Sequence, residues 1–337
     1  MRKLTIITIC LLLTSNLFGQ NSEVEKLIFQ GVELHDQGKY SEAIAKYSSA
    51  LEINPKSDLA NYEISYSYFA VKDYRNAIKY SEKVIKTKSK FQEEAFMVLG
   101  NSYDLTGNHS KAVKTYRTGI SKFPNSNLLH YNLALTFYNS NELADAESSV
   151  INAINSNPKH ASSHLMLAIL MEHNGKRIPS LLASSYFLML EPNTKRSEIC
   201  YEILQKQITK GVERKDGNNI SINLSASSLD DDFATAELMM SMFATKSFTN
   251  EDSTKNEYEL FAETNKSIFG MLHSLKKGKK NIWWDFYVVK FDDLVKSENV
   301  EAFSYYISKS KNDPFVNQWV IDNPQKIEQF ENWLISQ

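Results

Sequence analysis

The sequence has few of the residues that interrupt helices. It contains only 11 glycines and 7 prolines among 337 residues, and such scarcity favours long helices over many short strands. Apolar residues make up 42% and charged residues 23% of the chain, which are ordinary values for a folded protein. The length suits one large or two ordinary domains. We therefore expect an all-α fold.

The chain also lacks a strong excess of charge and any familiar catalytic motif. Its formal net charge is −2, whereas a protein built to bind nucleic acid usually has a clearly basic surface. The sequence contains no nucleotide-binding glycine loop, no HExxH or GxSxG motif and no paired-cysteine metal spacing. We therefore expect no nucleic-acid partner, no cofactor, no metal and no enzymatic activity.

Cysteine is the scarcest reactive residue, with two in the whole chain. Cys10 lies inside an apolar run and is followed by three leucines, whereas a lipid-anchored cysteine would follow such a run. Cys200 would remain alone in a mature chain, so no internal disulfide is expected. Its place in the helical stretch SEICYEIL favours a packed apolar side chain over a reactive thiol.

Residues 1–20 have the layout of a secretory signal peptide. Arg2 and Lys3 precede the apolar run 5–13, and a more polar stretch with Gly19 follows. The apolar run is about half of the ~20 residues that span a bilayer. Gly19 followed by Gln resembles cleavage sites of exported Bacteroidetes proteins. We predict an exported protein, periplasmic or associated with the cell surface, with no transmembrane segment in the mature chain.

A repeating pattern organises the first half of the chain. Pro124, Pro158 and Pro192 follow one another at equal intervals, and Pro55 lies about two such intervals before the first of them. Aligning the segments on these prolines gives five units in register. They span residues 24–57, 58–92, 93–126, 127–160 and 161–194.

Positions counted from the start of each unit, here called slots, hold residues of similar size. Slot 8 is always small, with Gly31, Ser65, Gly100, Ala134 and Ala168. Slot 20 is also small, with Ala43, Ala77, Ala112, Ala146 and Ser180. Slot 11 is large and apolar, with Leu34, Tyr68, Tyr103, Phe137 and Met171. Small side chains let two helices approach closely, and large ones fill the space beside the crossing.

This pattern resembles the tetratricopeptide repeat, a helix–turn–helix unit of about 34 residues. The resemblance covers residues 24–194 and implies a right-handed α-solenoid of about five units with a concave face. Gly38, Gly107 and Gly175 fall between the two helices of their units, where a left-handed backbone suits glycine. The region 195–337 is predicted to be a helical C-terminal region.

In this family, slots 2, 5, 9 and 12 of each first helix line most of the concave groove. Carried over to this sequence, the resemblance implies that partner-binding residues are Tyr62, Tyr66, Phe69, Asn101, Tyr131, Leu135 and Tyr138. His35, Ile28 and Val32 hold the corresponding slots of the first unit. The basic clamp with which some relatives grip acidic C-termini is absent, because Ile28, Val32, Glu63, Glu94 and Val98 stand in its place.

Tyrosines offer a large contact area with a polar tip, which favours an interface with a partner protein or peptide. Two interpretations of the groove stay open. The aromatic face could receive an apolar or amphipathic segment of a partner. Alternatively, the C-terminal helices of the same chain, or ordinary helix packing, could cover it.

The C-terminal half shows helical patterns separated by turn signals. Helices are predicted near 197–208, 227–245, 256–277, 281–295 and 298–310, and two more begin at Asp313-Pro314 and Asn323-Pro324. The segment ISINL at 220–224 could be a short strand or an extended linker. His160 and His164 have a spacing that can suit a metal, but His130 and His164 share slot 4, which indicates packing instead.

The leading functional hypothesis is a non-enzymatic scaffold of the cell envelope that binds a partner in the repeat groove. The alternative is that residues 195–337 form a ligand-binding or enzymatic domain and the repeats serve as its docking module. A weaker resemblance to glycan-binding envelope lipoproteins fails on size and on the missing lipid-anchor cysteine.

Overall fold

The computed structural model describes residues 21–215, 219–223, 232–245 and 255–337. The predicted signal peptide at 1–20 lies outside the described residues, as does the serine- and aspartate-rich start of the predicted helix at 227–245. The described chain is all-α apart from one short β-hairpin. It forms two compact units that divide between Asn157 and Pro158.

The first unit consists of four antiparallel helix pairs. Its helices are α1 (21–36), α2 (Tyr40–Ile53), α3 (Asp58–Ala70), α4 (Tyr74–Val84), α5 (Gln92–Leu105), α6 (His109–Lys122), α7 (Asn127–Asn139) and α8 (Leu143–Ser156). Each pair coincides with one of the repeats predicted from the sequence, except that α1 begins three residues and α5 one residue before the predicted start. Each helix from α2 to α7 packs against the next.

The second unit begins with one more such pair and continues with longer and shorter helices. Its elements are α9 (Ala161–His173), α10 (Arg177–Leu190), α11 (Lys195–Thr209), β1 (Val212–Arg214), β2 (Ile220–Ile222), α12 (Ala234–Ala244), α13 (Glu257–Leu275), a π-helical turn (Trp283–Tyr287), α14 (Val288–Lys296), α15 (Val300–Ser308), a 3₁₀ turn (Lys309–Lys311), α16 (Pro314–Asp322) and α17 (Pro324–Ile335).

In each repeat, the residue at slot 15, in the turn between the two helices, has a left-handed backbone conformation. These residues are Gly38 (φ 75°), Lys72 (φ 64°), Gly107 (φ 75°), Asn141 (φ 60°) and Gly175 (φ 71°). The backbone hydrogen bonds also recur. Gly107 N, for example, donates to Asp104 O at 2.9 Å, and Asn108 N donates to Tyr103 O at 2.8 Å. The turn thus keeps its geometry even where glycine is replaced.

The small residue at slot 8 is matched to the residue at slot 24 of the same repeat. A Cβ added to Gly31 would lie 2.4 Å from the ring of Tyr47, and one added to Gly100 would lie 2.4 Å from the ring of Tyr116. The fourth repeat instead pairs Ala134 with the smaller Val150, both fully buried. Glycine is therefore needed only where a tyrosine lies across the crossing.

A hydrogen bond from slot 4 joins a repeat to the proline before it. Asn61 Nδ2 donates to Pro55 O (3.2 Å), His130 Nε2 to Pro124 O (3.1 Å) and His164 Nε2 to Pro158 O (2.9 Å). At the junction that lacks the proline, Gln92 Nε2 donates to the carbonyls of Ile85 and Thr87 instead. The shared slot of the two histidines is therefore a structural position.

The second unit is centred on α10. Every residue from Arg177 to Met189 is buried, and α10 packs against α9, α11, α12, α15 and the π-helical turn. Cys200 on α11 is fully buried too, and burial raises the pKa of its thiol to about 12. A thiol that stays protonated at neutral pH is a poor nucleophile, as the sequence indicated.

The β-hairpin corrects the prediction that the whole C-terminal half is helical. β1 and β2 pair antiparallel, with Val212 opposite Ile222. Asn223 N also donates to Gly211 O at 2.7 Å, and Gly211 has a left-handed φ of 79°. The sequence allows a strand or a linker for ISINL, and the structure shows a strand over its first three residues. The partner strand was not predicted, because three residues give almost no alternation.

The aromatic segment at 281–295 is helical, as predicted, but not as a regular α-helix. Its π-helical turn inserts an extra residue per turn, so Trp283 and Trp284 are both buried along with Tyr287. Further on, Asp313 Oδ1 accepts from Phe315 N at 2.8 Å and caps α16 as expected. Asn323 instead donates back to Trp319 O at 2.9 Å, so its side chain closes α16 rather than opening α17.

Candidate partner-binding face

Four rings from the first two repeats form a stacked series, here called the aromatic row. The row runs His35, Tyr66, Tyr62, Phe91. Ring centroids are separated by 4.9, 6.2 and 5.5 Å, and the ring planes are inclined by 21°, 10° and 3°. These are offset-stacking distances that aromatic pairs prefer.

The helices explain why these rings meet. Tyr62 and Tyr66 are four residues apart on α3 and therefore lie on the same helical face. His35 comes from the end of α1, and Phe91 is the residue before α5. The His35 ring is further held by a 2.7 Å hydrogen bond between Nδ1 and Ser67 Oγ.

The row is partly open to solvent. Tyr66 is 43% exposed, and the other three rings are half-buried. Burial lowers the pKa of His35 against a smaller opposing effect of Asp36. The row therefore presents a rigid, mostly uncharged aromatic surface.

Carboxylates border the aromatic row. Burial, followed by the charge of Asp36, raises the pKa of Glu63 to about 7. Burial also raises the pKa of Tyr62, and the charges of Glu63 and Glu94 add to the effect. One oxygen of Glu94, Oε2, is enclosed and has no hydrogen-bond partner. Perturbed titratable groups that gather on an exposed face are typical of functional sites.

The structure brings together two of the seven predicted binding residues, Tyr62 and Tyr66. Phe69 packs against Tyr74 near the end of α3, at 5.6 Å. Asn101 accepts a 2.6 Å hydrogen bond from Tyr116 Oη, so its carbonyl oxygen already supports the third repeat.

The remaining three predicted residues are half-buried: Tyr131, Leu135 and Tyr138. Tyr131 already interacts with other residues of the chain. Whether any of the seven contacts a partner stays a prediction.

Two assignments from the sequence need revision. Ile28 was placed in the groove, but it is only 4% exposed and packs in the core with Ala43 and Tyr47. Phe91 was missed because it lies at slot 34, in the turn between two repeats, where the family pattern assigns no binding residue. Its aromatic type next to the acidic start of α5 was the only available signal.

A cavity of about 710 Å³ lies within the second unit. It lies between α11, α13 and the segment that precedes α16. Its lining includes aromatic side chains, three carboxylates and one lysine: Tyr201, Tyr258, Phe261, Glu202, Glu257, Asp313 and Lys311. Burial and a hydrogen bond with Asp313 raise the pKa of the Tyr258 phenol. The volume falls in the range of small-molecule sites.

The histidine pair is committed to packing. His164 Nδ1 lies 2.6 Å from Tyr287 Oη, and its Nε2 bonds Pro158 O. His160 Nδ1 lies 2.7 Å from Ser163 Oγ. Over the described ranges, no group of three or more metal-ligating side chains was found. Over the same ranges, no helix has both the length and the apolar character to cross a bilayer.

Comparison with known families supports the repeat. A family profile described as TPR repeat matches residues 31–71, and two described as tetratricopeptide repeat match residues 59–91 and 97–158. A TPR repeat-containing protein of Methanocaldococcus jannaschii is 26% identical over 161 residues. That match covers 44% of this chain, and this chain spans only 27% of the relative's length.

Solved structures align with about half of this chain and with most of their own length. YrrB, described as a TPR protein with an unusual peptide-binding site, matches 56% of this chain and 97% of its own at 16% identity and a TM-score of 0.43. PilF of Pseudomonas aeruginosa matches 56% and 90% at 16% identity and a TM-score of 0.49. MamA matches 51% and 93% at 17% identity and a TM-score of 0.44.

Proposed function

Since the chain carries tetratricopeptide repeats over residues 31–158, we propose that it is a non-enzymatic scaffold whose first unit binds a partner protein or peptide. The observation that carries the proposal is the aromatic row, with Tyr66 exposed in its middle. Tetratricopeptide repeats are protein-interaction modules, and three of the four rings of the row lie on first helices, which the family uses for contact.

The geometry of the row suits binding. Stacked neighbours already hold the Tyr62 and Tyr66 rings, so little side-chain freedom is lost when a partner covers them. Exposed tyrosine surface of this kind supplies the anchors that dominate interface energies. A row of four rings from two repeats would receive an extended or helical segment rather than a single side chain.

The proposed site of action is the cell envelope. The support is the sequence of residues 1–20, with its short basic start and apolar run. An exported scaffold would meet its partner in the periplasm or at the cell surface. Fractionation of cells that produce the full chain, with N-terminal sequencing of the mature protein, tests this part of the proposal.

Site-specific photo-crosslinking tests the binding face. A photoreactive phenylalanine analogue replaces Tyr66 in one variant and Ile53 in the control. Ile53 is 38% exposed but lies at the end of a second helix, α2. In native envelope extracts, the first variant should yield a crosslinked partner and the control should not.

A Tyr62→Ala change should weaken the crosslink at position 66, because the ring next to Tyr66 is lost. Far-UV circular dichroism should show an unchanged helical content. Equal crosslinking from positions 66 and 53, or no effect of Tyr62→Ala, would refute the proposed face.

The cavity of the second unit supports a second candidate function, a ligand-binding domain docked through the repeats. Its carboxylates and aromatic rings suit a small cationic compound. Thermal denaturation with putrescine or arginine should show stabilisation, and glutamate should give none. Glu257→Gln should reduce the effect. Identical melting curves with all three compounds would exclude this type of ligand.

A further inference from the structure

Charge is separated between the two helices of the central repeats. The first helices α3, α5 and α7 contain no lysine and no arginine. Their carboxylates are Asp58, Glu63, Glu93, Glu94 and Asp104. A surface helix in a chain with 38 basic residues would ordinarily carry some of them.

The second helices show the opposite balance. Helices α4 and α6 contain one carboxylate, Glu82, and seven basic residues. These are Arg75, Lys79, Lys83, Lys111, Lys114, Arg117 and Lys122. In the second and third repeats, the first helices α3 and α5 are therefore acidic and the second helices α4 and α6 are basic, whereas α8 of the fourth repeat carries Asp145 and Glu147 and no basic residue. Helices α3 and α5 are here called the acidic layer.

The acidic layer is the one that carries the aromatic row. Glu63 and Glu94 both act electrostatically on the Tyr62 phenol, and Asp36 and Glu63 both act on the Tyr47 phenol. Within the described part of the chain, no lysine or arginine forms an ion pair with any of these three carboxylates. Asp36, Glu63 and Glu94 therefore act on one aromatic surface, and at its Phe91 end Lys90 Nζ lies 5.1 Å from the centroid of the Phe91 ring.

From this charge complementarity we infer that the occupant of the face is a basic segment of a partner protein, with lysine or arginine side chains placed between the aromatic row and the carboxylates. The inference rests on the proposed function and names the chemistry of the partner. Cations attract both the ring faces and the carboxylates. An acidic segment meets unpaired like charge on the same surface.

Binding of a cation would also relieve the repulsion within the acidic group. Glu63 is half-buried near Asp36, and His35, Tyr47, Tyr62 and Glu94 lie in the same region. A guanidinium beside Glu63 favours its ionised form, so the proton that Glu63 holds near neutral pH would be released. Proton release on binding is a signature that simple apolar docking does not give.

Three matched 12-residue peptides test the inference. The first has four arginines separated by leucine and glycine, the second has citrulline in their place, and the third has glutamate. All three are acetylated and amidated and carry the same fluorophore. Fluorescence anisotropy should show that the arginine peptide binds the full chain at least 10-fold more tightly than the citrulline peptide. The difference should shrink at high salt.

Variants separate the contributions of charge and stacking. Glu63→Gln combined with Glu94→Gln should bring the arginine and citrulline affinities within about 2-fold, because only the charge term is removed. Tyr62→Ala combined with Tyr66→Ala should weaken both peptides. Asp145→Asn, on the second helix α8, is the matched control and should change neither.

The outcomes distinguish the two proposals. Equal binding of the arginine and citrulline peptides, with both lost in the tyrosine variant, would overturn the basic partner and leave the binding face intact. Tightest binding of the glutamate peptide would also overturn the basic partner. Binding that is unaffected by the tyrosine variant would refute the binding face itself.

Discussion

Replacing Gly100 by alanine should destabilise the first unit, even though alanine is the better helix former. Gly100 lies within α5, and the ring of Tyr116 lies directly over it. An added Cβ would lie 2.4 Å from Cζ and 2.5 Å from Cε1 of that ring. Atoms in ordinary contact are separated by at least 3.4 Å, so the ring must move by about 1 Å.

The ring has little room to move. Tyr116 is fully buried, and its hydroxyl donates a 2.6 Å hydrogen bond to Asn101 Oδ1. Overpacking and the strained hydrogen bond together should cost roughly 3 kcal/mol. The higher helix propensity of alanine should offset about 1 kcal/mol of this loss. We expect a net loss of about 2 kcal/mol in the free energy of unfolding.

Urea denaturation measures the change. The four tryptophans, Trp283, Trp284, Trp319 and Trp333, all lie in the second unit. Tryptophan fluorescence therefore reports on that unit, and far-UV circular dichroism reports on both. The loss from Gly100→Ala should appear in the dichroism transition.

Gly270 provides the control, because it is exposed inside α13 and no atom lies within 4 Å of an added Cβ. Gly270→Ala should stabilise the second unit by up to about 1 kcal/mol.

A compensating change tests the reason for the effect. Adding Tyr116→Val to Gly100→Ala recreates the Ala134–Val150 pair of the fourth repeat. The double variant should recover at least about 1 kcal/mol relative to the sum of the single changes. The steric explanation would be refuted if Gly100→Ala lowered the free energy of unfolding no more than Gly270→Ala does. It would also be refuted if the effects of Gly100→Ala and Tyr116→Val simply added in the double variant.

Three further predictions concern single residues. Lys72→Gly should raise stability by about 0.5–1 kcal/mol in urea denaturation, because lysine is strained at φ 64°; Lys72→Ala should not, and an equal gain from both would contradict this reason. Because the pKa of Glu63 is raised to about 7, the folded state keeps the Glu63 proton from about pH 4.5 to 7, whereas the unfolded state has lost it. The free energy of unfolding therefore falls as the pH rises through that window. Glu63→Gln should therefore remove roughly 1–2 kcal/mol of pH dependence, discounted for partial exposure, and an unchanged pH profile would refute it. Burial lowers the pKa of His164 to about 3, so stability falls as pH drops from 6.5 to 4.5, by about 2 kcal/mol; His164→Asn should flatten that fall when followed by tryptophan fluorescence.

The repeat register followed from side-chain size alone. Slots 8 and 20 must be small wherever two helices cross, so Ala43 and Ala112 are fully buried as expected. The link between slots 8 and 24 was not deduced, because it requires knowing that the Tyr116 ring lies across Gly100. The left-handed turns at Lys72 and Asn141 were also missed, since neither residue announces a positive φ as glycine does.

The binding face was predictable only in part. The spacing of Tyr62 and Tyr66 indicates one helical face, but their partners His35 and Phe91 come from other helices and turns. A sequence pattern within one helix cannot show which rings stack between helices. The sequence also did not predict that carboxylates gather beside the aromatic row. Asp36 and Glu63 lie on different helices and come together only in the folded first unit.

The hydrogen bond between slot 4 and the preceding proline has a consequence for how such a chain can grow. A repeat that has both groups carries the donor side chain at slot 4, near its start, and the proline whose carbonyl accepts the next such bond near its end. A duplicated copy of the fourth repeat would therefore bring His130 and Pro158 with it, and both joints would be complete. The second repeat lacks the proline, and its Gln92 bonds carbonyls of the same repeat. In a tandem copy of the second repeat, the second Asn61 would therefore follow no proline whose carbonyl it could bond. Whole-repeat insertions in this chain should be accepted at some boundaries and rejected at others.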